Sequence, residues 1–510
     1  MELFSIQSSL LTLLFTFLYF HYFLTRLTKS KLEKKGFKIY PLVGVLPDFI
    51  KNRHRFLDWT TQVLSECPSN TDMIVRPGKV RGIITANPEN IEHMLKTNFH
   101  NYPKGQRFIS RLEDFLGNGI FNSDGELWTV QRKTASYEFN TNSIRYFVME
   151  IVTVEIQTRL LPILSREASS ESTQVLDLQD ILERFAFDSI CKLAFNVDPG
   201  CLGSDGTAGA DFMRAFAAAA NHSLERFLYA IPFFWKVKKF FNLGSERRLR
   251  ESILTVHHFA DEIIRTRMES QSTNGEESEF QDLLSRFIGK IQKSSSSHEF
   301  LRDIIISFVL AGRDTSSSAL TWFFWILSSR PDVKQKIRDE LRTIRARKGK
   351  CIGETFTFAE LREMHYLHAA ISESMRLFPP VPVDSKTCLK DDILPDGTVI
   401  KKNWFIMYHT YAMGRMESIW GKDCMEYKPE RWIEKVYRAE SSFKFPVFHG
   451  GPRICLGKDL AYIQMKYIAA SLIERFEIIV QNDDTCPQHI LSLTLRMKGG
   501  LPILVKERNV

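Results

Sequence analysis

Near its C-terminus the chain reads FHGGPRICLG at residues 448–457, and a helix-forming run at residues 458–476 follows directly. Gly451 and Gly457 let the main chain turn tightly and approach a flat ring system, where a β-carbon would collide. Cys455 lies at the start of the predicted helix, whose N-terminal amides donate hydrogen bonds to a sulfur and lower its pKa. A thiolate in this setting is suited to bind a haem iron. The alternative for a lone cysteine is a small core residue.

A second stretch combines an acid and a base at helical spacing. Glu373 and Arg376 lie in a run at residues 358–378 whose apolar spacing is helical, so both side chains share one face. Pro379 ends this run. If the pair is buried, its remaining hydrogen bonds must be satisfied, and Arg431 from a later loop is suited to close the cluster. The alternative is a solvated surface salt bridge.

Asp314 and Thr315 interrupt an apolar run at residues 304–327 that predicts a buried helix. Oxygen activation at iron needs protons, and a threonine hydroxyl backed by an acid orders the water that carries them. The same hydroxyl can bond to its own helix one turn earlier and loosen the helical ladder. Ala311 and Gly312 leave space beside it. The alternative is a threonine that only packs.

These stretches carry a family resemblance. The haem-binding decapeptide of cytochrome P450 enzymes is matched here by Phe448, Gly451, Arg453, Cys455 and Gly457. Further landmarks follow in the family's order: an oxygen-activating segment at residues 311–315, an ExxR pair at residues 373–376 and a PERF-type motif at residues 429–432, where Trp432 replaces Phe. Trp128 and Arg132 resemble the WxxxR pair that contacts a haem propionate. The chain therefore resembles a cytochrome P450.

The resemblance implies a mainly α fold with minor β sheets, the cytochrome P450 fold. It also implies haem b with Cys455 as the metal ligand, and Arg453, Arg132 and Trp128 at the propionates. In the animal ω-hydroxylase branch an acid in the central helix esterifies the haem; Ala311 stands there, so we expect no covalent link besides the iron–sulfur bond. Electrons would come from NADPH through the NADPH–cytochrome P450 reductase of the same membrane.

Composition agrees with one large catalytic domain. A chain of 510 residues with 44% apolar content can bury an extensive core. Its 8 cysteines form no CxxC pair, which favours a reducing compartment over a disulfide framework. The net charge of +8 is spread along the chain without a basic arm, so no nucleic-acid partner is expected. A mild basic excess suits an acidic redox partner.

The N-terminus predicts a membrane anchor. Residues 3–24 are apolar and uncharged, long enough to cross a bilayer, and a basic cluster follows at residues 26–35. The positive-inside rule places the N-terminus in the lumen and the catalytic body in the cytosol, with the endoplasmic reticulum as the membrane. A cleaved signal peptide is the alternative. We expect a single-pass anchor at residues 1–25, a basic linker at 26–47 and the haem-thiolate domain at 48–510.

Secondary structure is predicted more coarsely. Residues 73–86 read as a hairpin turning at 77–79, and a helix begins at residues 87–89. Helical patterns dominate residues 128–345, with exposed loops at 269–279 and 293–298. Residues 387–409 read as a second β region that turns at 394–397.

The sequences around the motifs narrow the resemblance to one group within the family. Residues 311–317, 321–325 and 411–421 resemble the plant fatty-acid ω-hydroxylase clan, nearest to the group with jasmonoyl-amino-acid hydroxylases. This implies insertion of one oxygen atom from O2 into the terminal or near-terminal carbon of a long-chain fatty acid or a fatty-acid-derived hormone conjugate. A sterol side chain is the alternative substrate. A haem-thiolate sensor or electron carrier is the non-enzyme alternative. A relative that rearranges fatty hydroperoxides is a further alternative, but such enzymes tend to depart from the Asp–Thr pair, which this chain keeps.

Terminal attack requires a pocket that holds the chain end-on, because the secondary C–H bond beside the terminus is weaker. By analogy with the family's substrate-contacting segments, the predicted wall comprises Phe108, Phe115, Phe121, Phe308, Val309, Ala311, Val381, Val383 and Leu493. The alternative for each is an ordinary core residue.

Overall fold

The computed structural model describes Thr16 and residues 36–78, 80–139, 141–169, 174–203, 209–273, 283–291, 298–433, 441–481 and 485–508. The predicted anchor at residues 3–24 lies outside the described residues, apart from Thr16. Across these ranges, none of the helices combines the length and the apolar character needed to cross a bilayer.

The described part of the predicted linker packs against the body of the protein. Phe37 is buried, its ring meets Trp59 edge-on with centroids 5.4 Å apart, and its backbone N–H donates to Asp72. The helix Leu46–Asn52 begins before the predicted boundary at residue 47 and carries Pro47 in its first turn. The chain is therefore already part of the fold from about residue 37 onwards.

A long central helix crosses the molecule. It consists of an α-helical half, His298–Val309, a π-helical turn, Leu310–Asp314, and a second α-helical half, Thr315–Ser328. The predicted buried helix is confirmed, because nearly every residue at 304–327 is buried. A β-carbon on Gly312 would lie 2.5 Å from Ile190 Cγ1, so glycine allows a neighbouring helix to approach the π turn closely.

The run that carries Glu373 folds as two helices, Phe358–Glu363 and His365–Leu377, where one was expected. Met364, with φ −75° and ψ 82°, leaves the helical region between them. The second helix starts afresh because the Glu340 carboxylate accepts the backbone N–H groups of its first turn at 2.7 and 3.0 Å. Each helix therefore has its own N-terminal cap.

Helices fill most of the remaining body. Before the central helix these are Phe56–Glu66, Pro88–Glu92, Gly105–Leu116, Gly125–Ser136, Thr141–Tyr146, Thr153–Glu155, Leu161–Ala168, Leu178–Phe195, Ala210–Leu228, Phe234–Phe240, Ser245–Thr273 and Leu283–Ile291. After it come Pro331–Lys348, Thr410–Met413, Glu417–Trp420 and Lys458–Arg475. Short π turns lie at His93–Thr97, Phe147–Val152 and Ile156–Leu160, and 3-10 turns at Arg53–Arg55, Phe99–Asn101, Tyr137–Phe139, Pro429–Trp432, Pro446–Phe448 and Gly451–Arg453.

The predicted loop at residues 269–279 is wrong over its first part, because the helix Ser245–Thr273 continues through it. Residues 274–279 and 293–297 lie outside the described residues, and His298 begins the central helix. The helix after the cysteine loop, Lys458–Arg475, agrees with its prediction.

Eleven strands form four small sheets in the described part of the chain. They are β1 Thr71–Arg76, β2 Val80–Thr85, β3 Leu176–Asp177, β4 Asp384–Thr387, β5 Asp392–Ile393, β6 Val399–Ile400, β7 Phe405–Tyr408, β8 Phe476–Val480, β9 His489–Leu491, β10 Leu495–Met497 and β11 Pro502–Glu507. The largest sheet has the order β1-β2-β7-β4, the others β3-β11-β8, β10-β9 and β5-β6. Both predicted β regions thus meet in one sheet, since β2 pairs parallel with β7.

Candidate active site

A cavity of about 430 Å³ lies between the central helix, the cysteine loop, the largest sheet and the β9–β10 segment. Its wall is mainly apolar and aromatic. Cys455 and Thr315 both line it, although they lie far apart in sequence. The fold therefore brings the two predicted reactive positions to one cavity.

The cysteine loop is held by main-chain geometry. The Cys455 N–H donates to the Phe448 carbonyl at 2.8 Å, which closes the loop. Gly451 has φ +64°, and a β-carbon there would collide with the Leu95 carbonyl. Gly451 therefore packs its backbone against a neighbouring turn and does not line the cavity, whereas Phe448 and Gly457 do. The Cys455 side chain opens into the cavity, so its surface is accessible there although protein atoms surround the thiol.

The acidity of Cys455 differs from the expectation. Burial raises the pKa of the thiol above its ordinary value, while the Gly457 backbone N–H, Arg132 and Lys458 act in the opposite direction. The helix start therefore favours the thiolate, as its position predicts, but without a bound cation it does not overcome the cost of burial. A metal ion bound at the sulfur removes this cost because a coordinating thiol is deprotonated outright.

Thr315 begins the second half of the central helix. Its hydroxyl donates to the Ala311 carbonyl at 2.6 Å, across the π turn Leu310–Asp314. Ala311, Gly312 and Thr315 all line the cavity. The hydroxyl oxygen thus keeps acceptor capacity towards the cavity.

Asp314, the acid predicted to back the Thr315 hydroxyl, does not face the cavity. Its carboxylate is paired with Arg313 at 2.9 Å, and it does not line the cavity. Arg313 also pairs with Glu183 at 2.9 Å, and Arg496 pairs with the other Glu183 oxygen at 2.5 Å. Burial raises the pKa of Asp314 even though Arg313 opposes the rise. Asp314 therefore belongs to a buried ion-pair network behind the wall, and its part in proton delivery stays a prediction.

The predicted propionate residues converge on one end of the cavity. Trp128, Arg132 and Arg453 all line it, and the Arg453 guanidinium lies 4.3 Å from the Trp128 ring centroid. Arg453 also donates to Asp124 at 2.7 Å and to the Ser123 carbonyl at 3.0 Å. Its Nε is buried and has no hydrogen-bond partner among the described residues.

These donors fit a haem. A cavity-facing sulfur, two guanidinium groups and an indole N–H match the iron and the two propionates of that group. Cys455 would hold the iron, while Arg132, Arg453 and Trp128 would hold the propionates. Ala311 has no carboxyl group with which to form an ester.

The structure also places a charged cluster at the wall that the sequence did not reveal. Asp384 accepts Lys104 at 2.7 Å and Lys386 at 3.0 Å, and His449 lies 3.5 Å away. Burial disfavours its ionisation, yet the two lysines hold the pKa of Asp384 well below its usual range. His449, with φ +64°, lies inside the quoted decapeptide and could have been found there. No sequence pattern around Lys104, Asp384 or Lys386 indicates that they form this cluster.

Glu373, Arg376 and Arg431 form the predicted cluster, fully buried. Arg376 donates to both Glu373 oxygens at 2.8 Å, and Arg431 Nε donates at 3.2 Å. The remaining guanidinium donors reach main-chain carbonyls of the preceding loop, including Cys424 at 2.6 Å and Trp420 at 3.0 Å. Every member is hydrogen-bonded, so the cluster fixes the loop that precedes the cysteine.

Trp432 gives the departure from the PERF-type motif a physical role. Its indole Nε1 donates to Glu373 Oε2 at 2.9 Å, a bond that phenylalanine lacks. The ring also lies edge-on to Phe445 at 4.6 Å between centroids. The tryptophan thus adds a fourth side-chain donor bond to the Glu373 carboxylate, a contribution that the sequence analysis missed.

Most of the predicted pocket residues line the cavity: Phe108, Phe121, Phe308, Ala311, Val381, Val383 and Leu493. Phe115 and Val309 do not. Phe115 is fully buried against Phe216, with ring centroids 5.1 Å apart, between the helices Gly105–Leu116 and Ala210–Leu228. Val309 is fully buried in the core. It does not face the cavity as its neighbour Phe308 does, because adjacent helical positions point about 100° apart. Both are corrected to core residues.

The chain was compared with known proteins. A family model described as Cytochrome P450 matches residues 35–503. Cytochrome P450 CYP94D108 of Paris polyphylla is 52% identical over 92% of this chain and 91% of the relative. Cytochrome P450 94B1 of Arabidopsis thaliana is 48% identical over 92% and 91%, and Cytochrome P450 94A1 of Vicia sativa is 44% identical over 92% and 90%. Since these matches span the fold that brings Cys455 and Thr315 together, the chain belongs to the cytochrome P450 family and is a P450 monooxygenase.

Proposed function

We propose that the enzyme hydroxylates the terminal or near-terminal carbon of a long-chain fatty acid or a fatty-acid-derived hormone conjugate. The observation that carries this proposal is the largely apolar cavity of about 430 Å³ with Cys455 and Thr315 on its wall. A bound haem would take the part of this cavity beside Cys455, Arg132 and Arg453, and the apolar side chains on the remaining wall suit an acyl chain. The likeness to the CYP94 relatives, together with the resemblance of the motifs to the plant ω-hydroxylase clan, supports the same substrate class.

When bound, haem supplies oxygen activation at its iron, and the protein supplies binding, orientation and proton transfer. Electrons reach it from NADPH through the partner reductase. The wall residues Phe121, Phe308 and Val381 narrow the space in which an acyl chain can lie. Restraint by these side chains is what makes attack on the stronger terminal C–H bond competitive.

A direct assay tests this function. Microsomes supplemented with reductase are given long-chain fatty acids, jasmonoyl-amino acids and sterols, and the position of the new oxygen is located by mass spectrometry. We expect terminal or near-terminal hydroxylation of the acids or the conjugates. Turnover of the sterols alone would contradict the proposed substrate class.

Thr315 is proposed to hold the water that carries protons into the cavity. Thr315→Ala is expected to lower the ratio of hydroxylated product to NADPH consumed by about tenfold or more, with a matching rise in hydrogen peroxide. Product, peroxide and NADPH consumption are measured together.

Ser317→Ala is the matched control. Ser317 donates to the Arg313 carbonyl at 2.6 Å, the same helical back-bond, but it does not line the cavity. Coupling should stay normal in this variant. Equal coupling in Thr315→Ala and wild type would contradict the proton-delivery role.

We propose that the catalytic body also contacts the endoplasmic reticulum membrane, beside the predicted single-pass anchor. An exposed patch around the helix Phe234–Phe240 supports this contact, and it comprises Ile231, Phe233, Phe234, Val237, Phe240, Phe241 and Leu243. Lys236 is exposed within the same patch, and Lys239 is exposed beside it but pairs with Asp114 at 2.8 Å. Apolar side chains flanked by lysines suit an anionic lipid surface.

A chain without residues 1–35 is expected to keep binding anionic vesicles through this patch. Phe240→Ser with Phe241→Ser should weaken vesicle binding by about tenfold or more, because two phenylalanine side chains no longer enter the lipid. Co-sedimentation with vesicles measures this. Leu254→Ser with Met425→Ser changes two exposed residues elsewhere and serves as the control. Equal losses in both pairs would refute the patch.

A further inference from the structure

Three arginine side chains cluster beside the cavity. Arg76 ends strand β1, while Arg107 and Arg111 lie one turn apart on the helix Gly105–Leu116. All three converge on Phe227: Arg76 donates to its carbonyl at 2.8 Å, and the guanidinium groups of Arg107 and Arg111 lie 6.0 and 5.2 Å from its ring centroid. Arg76 and Arg107 line the cavity directly.

This arginine cluster has no acidic partner among the residues that the structure describes. Arg107 donates to the Ser385 hydroxyl over a long distance of 3.5 Å. Arg111 donates to the Arg107 carbonyl. The Nε atoms of Arg107 and Arg111 are buried without a hydrogen-bond partner in the described chain. Arg76 and Arg111 are only 7% and 8% exposed, so solvent offers little compensation.

Two carboxylates of neighbouring segments, Asp384 and Asp114, already have basic partners. Asp384 is neutralised by Lys104 and Lys386, and Asp114 by Arg226 and Lys239. Burial, and then repulsion from Arg111 and Arg76, lowers the pKa of the Arg107 guanidinium well below its ordinary value. Three cations thus lie close together at an energetic cost that a bound anion relieves.

The charges on the cavity wall also indicate a need for an anion beside the arginines. Its described lining contains five fully basic side chains, Arg76, Lys104, Arg107, Arg132 and Arg453, and one acid, Asp384. Lys104 pairs with Asp384 and Arg453 with Asp124, and the haem propionates would lie against Arg132 and Arg453. Arg76 and Arg107 are left without a counter-ion, although the rest of the wall near them is apolar.

We propose that Arg76 and Arg107, positioned by Arg111, bind the carboxylate of the substrate while its carbon chain extends through the cavity towards Thr315 and Cys455. The proposal deepens the function proposed above and rests on it. A guanidinium fork matches a carboxylate bidentately, so the cluster selects acids over neutral lipids. It accepts the carboxylate of a free long-chain fatty acid or of an amino-acid conjugate, and it disfavours sterols.

Paired ligands test this site by binding, independently of turnover. Dodecanoic acid and 1-dodecanol have the same chain length but differ in charge, and each is titrated into the haem-loaded full-length protein by calorimetry. Arg107→Gln is expected to raise the Kd of the acid by about 10- to 150-fold, the worth of hydrogen bonds to a charged group. The Kd of the alcohol should change by less than about twofold. Arg76→Gln is expected to act in the same direction.

Arg81→Gln is the matched control, because Arg81 is an exposed arginine on the adjacent strand β2 and does not line the cavity. It should leave both Kd values unchanged. Arg107→Lys, which keeps the charge but loses the fork, should fall between wild type and Arg107→Gln, and it serves if the glutamine variant does not fold.

The alternative is that the cluster only packs on aromatic rings, since the Arg107 guanidinium lies 3.9 Å from the Phe405 ring centroid. Equal losses of acid and alcohol binding, or unchanged acid binding, would establish this alternative and overturn the proposal. Repeating the titration with a jasmonoyl-amino acid distinguishes the two sources of carboxylate. If Arg107→Gln binds the acids as tightly as wild type does, the arginine site is refuted but the proposed function is not. If wild type binds neither acid, the proposed function itself is refuted.

Discussion

Cys455→Ser is expected to abolish the thiolate-type absorption shift of the reduced carbon-monoxide complex and, with it, all hydroxylation. A serine hydroxyl at this position does not ionise near neutral pH, so it cannot place a sulfur-like negative charge on the iron. The loop itself should survive, because its closure rests on the Cys455 backbone N–H and the Phe448 carbonyl rather than on the sulfur. Absorption spectra and product assays measure the change.

Cys351→Ser is the control for this prediction. Cys351 is also exposed, but it lies outside the cavity lining. It should retain the normal spectrum and activity. A normal shift in Cys455→Ser, or its loss in Cys351→Ser, would show that a different residue holds the iron.

Glu373→Ala is expected to prevent accumulation of the folded enzyme. Glu373 accepts bonds from Arg376, Arg431 and Trp432, and its removal leaves the buried Arg376 without a carboxylate and Arg431 with Asp423 alone. Breaking a buried ion pair in this way costs about 3–5 kcal/mol of unfolding free energy. Soluble yield, haem content and resistance to proteolysis measure the loss.

Two further variants grade this effect. Trp432→Phe removes a single donor to a charged group and should cost about 1.5–3 kcal/mol, so the enzyme should fold but unfold at lower temperature. Glu363→Ala removes the partner of Arg347 on a half-exposed helix face and should be nearly silent. If Glu373→Ala proved as stable as Glu363→Ala, the cluster would have no structural role.

Local signals predicted the local parts of the fold. The hairpin turning after Arg76, the helix capped by Asn87 and the helix after Cys455 follow from turn residues, caps and periodicity within one segment. The parallel pairing of β2 with β7 could not be predicted, because it joins segments far apart in sequence and no local pattern records the partner. The break at Met364 was missed for a similar reason: it depends on Glu340, a residue of another helix.

The candidate site divides in the same way. The motif residues Cys455, Thr315 and Glu373 were found because their spacing is specific, and the structure brings the first two to one cavity. Phe115 and Val309 were assigned to the wall only by segment, and which face of a helix looks inward depends on the tertiary packing. Asp314 shows the same limit, since its carboxylate pairs with Arg313 and does not line the cavity.

The uncompensated arginines were invisible for a further reason. Arg76, Arg107 and Arg111 look like ordinary surface arginines in the sequence, and only their burial together distinguishes them. An arginine becomes informative when its partners are known, and the partners Phe227, Ser385 and Phe405 lie in three other segments of the chain.

Arg76 also connects the cavity to the exposed patch around the helix Phe234–Phe240. It donates to the carbonyls of Phe227 and Tyr229, and the exposed aromatic segment begins just beyond, at Ile231. We expect a carboxylate bound by Arg76 to compete with these two carbonyls for its N–H groups, and this competition would couple substrate binding in the cavity to lipid binding by the patch that begins at Ile231. Such coupling is reciprocal, and the bilayer therefore alters substrate affinity by the same factor by which substrate alters bilayer affinity.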